Sequence, residues 1–488
     1  MTDYDQRMLI DGELVLAVSG KVFDNINPAT EEVLGQVADG ANPEVHRAID
    51  AARRSFDETS WSTDHAFRQR CLQQLQDAIE GEQELFREEL IREVGCPRMT
   101  THGPQLDGPV ADAIKWPAKY ISEYAWSIEL EDVTDHLGRP SGRRVVKEPV
   151  GVVGAITPWN FPFEVILNKL GQALATGNTV VLKPAPDTPF NATRLARLVA
   201  EHTDIPPGVL NIVSSSDHLV GEELTLSRKV DAISFTGSTA VGRRIMEKGA
   251  PTMKRLFLEL GGKSANIILD DADFSEAVMS GVAVCFHAGQ GCAIQTRMLL
   301  PRSRYDEGVA TIKAILEHIP YGDPQRPDVM MGPVISAKQH ARILSHIDKG
   351  VAEGANLVLG GKRPEAHPTG YFLEPTLFID VDNSMSIAQE EIFGPVLVVI
   401  PYNDDDDAVR IANDSEYGLA GGVWSASTER ALAVASRIRT GNVAINGGVT
   451  YGPDMPFGGY KQSGVGRQNG VYGFDQYLET KALAWVKD

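Results

Sequence analysis

The chain has 488 residues, which corresponds to about three domains of ordinary size. It is 42% hydrophobic and 23% charged, and its 46 basic and 66 acidic residues give a formal net charge of −20. Such a charge disfavours a protein that binds nucleic acid or an anionic membrane through a basic surface.

The sequence lacks targeting and metal-binding signals. Residues Met1–Arg7 contain no basic stretch followed by an apolar one, so no secretory signal is expected, and no apolar run is long enough to span a membrane. The four cysteines (Cys71, Cys96, Cys285 and Cys292) form no CxxC pair and no usual zinc spacing. We therefore expect a cytoplasmic protein with reduced thiols, no metal and no membrane partner.

The amino-terminal part predicts a β-hairpin within residues 8–18, followed by amphipathic helices over residues 43–53 and 65–91. Residues 128–133 and 143–150 then predict a pair of extended strands with charged edges. This ribbon has little core of its own. From the residues alone, it is either an arm that packs on a neighbouring subunit or a surface hairpin.

From Val150 onward, short apolar runs alternate with helical stretches. The expected strands are Gly151–Ile156, Thr179–Lys183, Val209–Val213 and Ala232–Phe235, and the expected helices are 162–176, 189–201 and 219–226. Continuous apolar strands separated by helices indicate an α/β fold with a parallel sheet covered on both faces. A second β-α region begins near Ser264, with strands near Leu299 and over residues 356–359 and 396–400.

Residues suited to a ligand follow three of these strands, where parallel sheets bind their ligands. The turn Gly237–Gly242 leads into a helix expected from Arg243, and such a turn favours phosphate. It is neither a P-loop nor a GxGxxG turn. Lys183 could reach a ribose or phosphate, and Trp159 could wall an adenine or nicotinamide. Together these residues favour a dinucleotide site over a plain tight turn.

Three further residues have chemistry suited to catalysis. Cys292 follows a run of small residues, so it is either an activated nucleophile or an ordinary buried cysteine. Glu259 ends an apolar run, where burial raises a carboxyl pKa toward that of a general base; the alternative is an ion pair with Lys263. Asn160 could donate its amide N–H to an oxyanion, or could simply be a turn residue.

In this order and spacing, these residues resemble the aldehyde dehydrogenase superfamily over the full length of the chain. The matching stretches are Thr157–Pro162, Phe235–Gly242, Leu258–Ser264, Gly289–Cys292, Glu391–Pro395 and Pro456–Lys461. The resemblance implies an NAD(P)-dependent oxidation of an aldehyde to its carboxylic acid, of the hydrolytic type that does not acylate CoA. It assigns the nucleophile to Cys292, the oxyanion to Asn160 and the Cys292 backbone N–H, the water-activating base to Glu259, and a proton relay to Lys169.

The resemblance also implies the binding residues. The cofactor positions are Ile156, Thr157, Pro158, Trp159, Lys183, Phe235, Gly237, Ser238, Gly242, Leu260, Glu391 and Phe393, and the substrate positions are Phe161, Asn168, Gly291, Ala293, Tyr451 and Phe457. Pro186 stands where NAD-preferring members often have Glu, so the cofactor is NAD or NADP, with NAD favoured if Asp187 substitutes. Gln468 replaces a Glu of many relatives, which leaves the proton exit route open. The substrate tunnel is expected to be roomy, largely apolar and suited to medium aliphatic or aromatic aldehydes.

The implied architecture is a Rossmann-like cofactor domain (1–127 and 149–260), an α/β catalytic domain (261–460), and a β-ribbon arm and tail (128–148 and 461–488) that form a homodimer or homotetramer. This implication favours the arm over the surface hairpin. The alternatives are a CoA-acylating or semialdehyde dehydrogenase relative, a non-catalytic nucleotide-binding member, and a thiol hydrolase. The hydrolase lacks a histidine base, because His287 is expected on the helix before Cys292.

Overall fold

The computed structural model describes residues 4–487, and its largest β-sheet is built around the predicted parallel strands. Within those residues this sheet has eight strands, in spatial order Gly464–Val465, Arg255–Glu259, Ala232–Thr236, Val152–Ile156, Thr179–Lys183, Leu210–Ile212, Met8–Ile10 and Glu13–Val15. The four strands predicted between residues 151 and 235 are adjacent and parallel, which confirms that prediction. The amino-terminal hairpin is also confirmed, with Leu9 facing Leu14.

Helices surround this sheet, some packed directly on its strands and others packed on those helices. They are Asn42–Glu58, His65–Gly81, Gln83–Val94, Arg98–Thr101, Asp107–Asp112, Lys115–Tyr120, Pro162–Ala175, Phe190–His202, Leu219–Leu226 and Thr239–Gly249. The single helix predicted over 65–91 is wrong: two helices meet at Glu82, just after the helix-disfavouring Gly81. Trp61 is fully buried here, and its indole N–H donates to the carbonyl of Asn178 at 2.9 Å.

A second sheet carries the rest of the α/β structure. Across the described part of the chain it has seven strands, in spatial order Asn356–Leu359, Thr376–Ile379, Val396–Tyr402, Arg297–Pro301, Ala265–Ile268, Ala420–Trp424 and Asn442–Ile445. Its helices are Phe274–Met279, Tyr305–Leu316, Ala337–Ala352, Ser386–Gln389, Asp405–Asn413 and Thr428–Ala435, and 3₁₀ segments occupy Ala250–Thr252, Ser280–Gly289, Arg302–Arg304 and Lys461–Ser463. In the described part of the chain, the first core packs on one face of the first sheet, a smaller core packs on its other face, and the second core packs on the second sheet.

The predicted ribbon is present and gains a third strand from the tail. Ser127–Thr134 pairs antiparallel with Pro140–Pro149, whose other edge pairs with Leu478–Val486. The segment before that tail strand contains the helix Gly470–Asp475 and returns to the first core, where Phe474 is buried. A small separate hairpin joins residues 22–26 to 33–38. The domain boundaries and the role of the arm stay predictions.

Among residues 4–487, no helix is long and apolar enough to cross a membrane. The same residues contain no group of three or more His, Cys, Asp or Glu side chains placed to hold a metal ion.

Candidate active site

Two cavities meet at the carboxyl ends of the central parallel strands. One has a volume of about 550 Å³ and the other of about 350 Å³. Both are lined by the same four residues at their junction, namely Asn160, Thr236, Glu259 and Cys292. The three residues that the sequence singled out for chemistry therefore lie together, between two spaces that are each large enough for a small molecule.

The two cavities separate the predicted cofactor residues from the predicted substrate residues. The larger cavity is lined by seven of the twelve cofactor positions, namely Pro158, Trp159, Gly237, Ser238, Leu260, Glu391 and Phe393. We call the smaller cavity the substrate cavity, because it is lined by all six predicted substrate positions, Phe161, Asn168, Gly291, Ala293, Tyr451 and Phe457. Their assigned roles stay predictions.

The other five cofactor positions (Ile156, Thr157, Lys183, Phe235 and Gly242) do not line the larger cavity. Phe235 and Gly242 lie next to it: a Cβ on Gly237 would come within 2.5 Å of the Phe235 ring, and one on Gly242 within 2.7 Å of the Leu260 side chain. Phe235 and Gly242 therefore pack behind residues that line the larger cavity and do not line it themselves.

The backbone before Cys292 leaves helical geometry, and this places the thiol at the junction. His287, Ala288 and Gly289 have φ values of 51°, 51° and 72°, the left-handed region that glycine adopts most easily. A Cβ on Gly289 would lie 2.0 Å from the carbonyl oxygen of Gly394, so only glycine fits. The expectation that His287 lies on a helix is wrong, because Phe286 already has extended backbone. The His287 ring instead packs edge-on against Phe161.

The thiol of Cys292 donates a hydrogen bond to Oε1 of Glu259 at 3.1 Å. Burial raises the pKa of Cys292 well above its ordinary value, and the nearby Glu259 carboxylate raises it further. Burial also raises the pKa of Glu259, while the hydrogen bond from Cys292 opposes that shift. The thiol is therefore protonated and in contact with a carboxyl group that can accept its proton, which favours the nucleophile over the ordinary buried cysteine; the role of Cys292 stays a prediction.

The alternative partner for Glu259 is not used. Within residues 4–487 no ion pair joins Glu259 to Lys263, whose buried Nζ has no hydrogen-bond partner. Burial lowers the pKa of Lys263 to about 7.

Hydrogen bonds fix both the side chain and the backbone of Asn160. Its Nδ2 donates to the carbonyl of Gln290 at 2.9 Å, and its own carbonyl accepts from the Gln105 side chain at 3.0 Å. A side-chain amide has two N–H groups, so the second remains for a ligand in the junction. Among the described residues, the Cys292 backbone N–H also has no acceptor.

Two glycines let the larger cavity form beside the nucleophile. A Cβ on Gly261 would lie 2.4 Å from Oε2 of Glu391, and one on Gly262 would lie 2.5 Å from the carbonyl oxygen of Cys292. The Gly262 N–H donates to Oε1 of Glu391 at 2.9 Å, and burial raises the pKa of that carboxyl to about 7. Glu391 lines the larger cavity, and among the described residues its Oε2 accepts no hydrogen bond.

The glycine turn at the larger cavity suits a phosphate-bearing ligand. The following helix begins at Thr239, not at the predicted Arg243, and the Ser238 side chain caps it by accepting from the Val241 N–H at 3.4 Å. A helix of 11 residues directs its amino-terminal N–H groups and dipole toward the cavity. Phe393 and Trp159 wall the same space, with ring centroids 5.4 Å apart. These residues fit a dinucleotide.

The residues around the expected ribose and phosphate sites include both basic and acidic side chains. Lys183 donates to the carbonyl of Ser215 at 3.2 Å, and burial lowers its pKa to about 8. Asp187 lines the larger cavity together with Lys338, and burial raises the pKa of the Asp187 carboxyl against the opposing charge of that lysine. A carboxylate is therefore present on this wall although residue 186 is proline.

The expected proton relay is arranged differently from a Lys–Glu pair. Lys169 is buried, donates to Oγ of Ser234 at 3.1 Å, and has its pKa lowered by burial to about 7. Ser234 in turn contacts the hydroxyl of Tyr477 at 2.9 Å. Gln468 lines the substrate cavity but donates its amide to the carbonyl of Asn168 at 2.9 Å, and it makes no hydrogen bond with Lys169 within the described chain.

Sequence reasoning missed one helix and one carboxylate at this site. The helix Ala337–Ala352 contributes Lys338, Gln339 and Arg342 to the larger cavity. Arg342 donates to the Glu391 carbonyl and Gln339 to the Phe393 carbonyl, both at 2.8 Å. The signal was the spacing of Lys338 and Arg342, which are four apart on one helical face.

The missed carboxylate is Glu164, which lines the substrate cavity beside Asn168. It lies four residues before the predicted Asn168, so it shares that residue's helical face. A carboxyl group therefore lies in the wall of a cavity whose lining is otherwise mostly apolar, as expected.

Comparisons with known proteins agree with this geometry. Residues 15–483 match the model of the aldehyde dehydrogenase family. Over 487 residues and 99% of both chains, the sequence is 44% identical to a 3-succinoylsemialdehyde-pyridine dehydrogenase from a Pseudomonas species. The structure resembles a Mycobacterium tuberculosis aldehyde dehydrogenase complexed with NAD+ (TM-score 0.93, 41% identity, 98% of each chain). It also resembles a variant of aldehyde dehydrogenase C from Pseudomonas syringae complexed with NAD+ and octanal (TM-score 0.93, 38% identity, 99% of this chain and 98% of that one). The chain belongs to the aldehyde dehydrogenase family.

Proposed function

We propose that this protein oxidises aldehydes to carboxylic acids with NAD as its hydride acceptor and Cys292 as its nucleophile. The observation that carries the proposal is the 3.1 Å hydrogen bond from the Cys292 thiol to Glu259 at the junction of the two cavities. A nucleophile and its base in contact, reachable from both a dinucleotide space and a substrate space, are the arrangement that this chemistry needs.

In the first step Glu259 takes the thiol proton and the sulfur attacks the aldehyde carbon. The second N–H of Asn160 and the backbone N–H of Cys292 stabilise the oxyanion of the resulting thiohemiacetal, because both donors are fixed before the charge develops. The hydride on the carbon attached to sulfur would leave toward the larger cavity, where a bound NAD would supply the acceptor. Trp159, Phe393 and the carboxylate of Glu391 would hold the nicotinamide end beside Cys292.

In the second step water hydrolyses the thioester on Cys292. Glu259 already lies at the sulfur, so after losing its proton it can take one from a water molecule that attacks the acyl carbon. Glu259 therefore favours hydrolysis over transfer of the acyl group to CoA. Free acid as the product supports this assignment, and acyl-CoA formed without free acid would overturn it.

NAD is proposed over NADP because of Asp187. Its carboxyl group lies in the wall of the larger cavity, where it can accept a hydrogen bond from an adenosine ribose and would repel a 2′-phosphate. Lys338 on the same wall moderates this repulsion, so we expect NAD to be preferred without complete exclusion of NADP.

The proposed substrates are medium aliphatic or aromatic aldehydes. A cavity of about 350 Å³ with the rings of Phe161, Tyr451 and Phe457 in its wall suits an apolar body larger than acetaldehyde. One similar protein is named for a pyridine-bearing semialdehyde and another was crystallised with octanal, which supports this size range. Acetaldehyde clearly favoured over hexanal and benzaldehyde in kcat/KM would contradict it.

The assembly and the location are proposed as well. The three-stranded ribbon sheet exposes apolar side chains, including Ile128, Leu130, Leu483 and Trp485, which supports an arm that packs on another subunit in a homodimer or homotetramer. Light scattering of the intact chain and of a chain ending at residue 477 would test the arm. The four cysteines are free, which supports a reducing cytoplasmic location.

The test of the function is reduction of NAD and of NADP, followed at the nicotinamide absorbance with a panel of aldehydes. The key variant is Cys292→Ala, and Cys285→Ala is its matched control because Cys285 is buried in the second core away from both cavities. We expect activity in the intact protein and the control but not in Cys292→Ala. Nucleotide binding without oxidation of any aldehyde would instead support a non-catalytic member of the family.

A further inference from the structure

The substrate cavity contains a carboxyl group that the proposed mechanism does not use. Glu164 lies in the first turn of the helix Pro162–Ala175 and lines the cavity that leads to Cys292. Its neighbours on that wall include the apolar side chains of Phe161, Val165 and Phe457. A carboxyl group in such surroundings is costly unless a partner compensates it.

One oxygen of Glu164 is fully engaged by the protein. Its Oε1 accepts from Nδ2 of Asn168 at 3.0 Å and from the hydroxyl of Tyr451. Asn168 also donates to the Tyr451 hydroxyl oxygen at 2.8 Å, so the three side chains form a closed cluster. Both donors act on Oε1, so the cluster holds the carboxyl group in place, and Glu164 lines both the substrate cavity and a neighbouring cavity of about 170 Å³.

The other oxygen has no partner in the protein. Across residues 4–487, Oε2 of Glu164 accepts no hydrogen bond, and no Lys, Arg or His side chain forms an ion pair with this carboxyl group. The charged groups that act on it are Glu259, which opposes its ionisation, and Lys169, which favours it. Burial raises the pKa of Glu164 to about 7, so the group can either accept or donate a proton near neutral pH.

The structure assigns Glu164 as a specificity-determining residue: we propose that it selects aldehydes whose far end carries a basic nitrogen, an amine or an aromatic ring nitrogen, that shares a proton with its free oxygen. The inference rests on the proposed function and narrows its substrate class. An amine forms an ammonium–carboxylate pair with Glu164, and a pyridine-type nitrogen accepts the proton of the carboxylic acid. Either arrangement supplies the missing partner and leaves the aldehyde end free to reach Cys292.

The test compares substrates that differ only at the nitrogen. The first pair is 4-(dimethylaminomethyl)benzaldehyde and 4-isobutylbenzaldehyde, and the second is 3-(3-pyridyl)propanal and 3-phenylpropanal. In each pair a nitrogen replaces a C–H group at nearly constant shape. For the wild-type protein with NAD, we expect kcat/KM of the nitrogen member to exceed that of its partner by about tenfold or more, the usual effect of a hydrogen bond to a charged group.

Two variants locate the effect. Glu164→Gln keeps the size of the side chain and its contact with Asn168 but removes the charge that pairs with an ammonium group, so we expect the ratio for the amine pair to fall to about one. The matched control is Val165→Ala, which enlarges the same cavity without touching the carboxyl group and should keep the ratio.

The outcomes separate this inference from the proposed function. Oxidation of both members of each pair with wild-type ratios near one, or an amine-pair ratio unchanged in Glu164→Gln, would overturn the role of Glu164 and leave the dehydrogenase assignment intact. If Glu164→Gln fails to fold, the wild-type ratios alone decide. Absence of oxidation with every aldehyde would overturn the proposed function and the inference with it.

Discussion

Replacing Glu259 by Gln is the substitution that tests the thiol–carboxyl pair most directly. Gln keeps an oxygen that can accept the 3.1 Å hydrogen bond from Cys292, so the loop geometry is preserved while the base is lost. A thiol at its ordinary pKa of 9.0 is about 1% ionised at pH 7, and burial in this site raises the pKa further. Without a base, formation of the thiohemiacetal should therefore slow about 100-fold or more.

The same substitution removes the base for hydrolysis, which typically contributes a factor of about 10²–10⁴. We expect kcat to fall within that range and the single-turnover rate of NADH formation, measured by rapid mixing, to fall about 100-fold at pH 7. Raising the pH should restore part of the single-turnover rate, because hydroxide then ionises the thiol. The matched control is Glu32→Gln, an exposed carboxylate with no ion pair in the described chain. If Glu259→Gln kept the wild-type single-turnover rate and the wild-type kcat, the reasoning would be refuted.

Three further outcomes follow from the site. Asn160→Ala should lower kcat/KM about 10²–10³-fold because an oxyanion donor is lost. The dissociation constant for NAD, measured by fluorescence, should change little. A loss of NAD affinity as large as the loss of kcat/KM would contradict that role. Because burial raises the pKa of Glu259, whose carboxyl must be ionised to take the thiol proton, kcat/KM should rise with pH through the neutral range; a falling profile would refute this. In Gly242→Val, the new side chain would push Leu260 into the larger cavity and raise KM for NAD about fivefold or more. Gly81→Ala is the control, because a Cβ there meets open space and KM should not change. The same KM in Gly242→Val and the wild type would rule out this packing.

The parts of the fold that could be predicted are those encoded locally. The four buried strands between residues 151 and 236 are continuous apolar runs, which the residues of each strand indicate without help from the rest of the chain. The helix break at Glu82 was missed because an amphipathic pattern continues across it. Pairing of the carboxyl-terminal strand with Pro140–Pro149 joins residues 329 to 345 positions apart, which no local pattern encodes.

The sequence by itself determined the chemical groups of the site. Cys292, Glu259 and Asn160 belong to motifs whose residue types and order indicate an aldehyde-oxidising thiol enzyme, and the structure places all three at one junction. The glycines at 261, 262 and 289 are part of the same local signal, since each marks a close backbone approach.

Only the tertiary structure decided what surrounds those groups. The helix Ala337–Ala352 reaches the larger cavity. The carboxyl group of Glu164 is held in the wall of the substrate cavity by Tyr451, which is 287 residues away in the chain. Whether a polar side chain on a helix faces solvent or a cavity depends on which face packs against the rest of the protein. That is settled by contacts between distant segments, and the spacing of residues along the chain does not contain it.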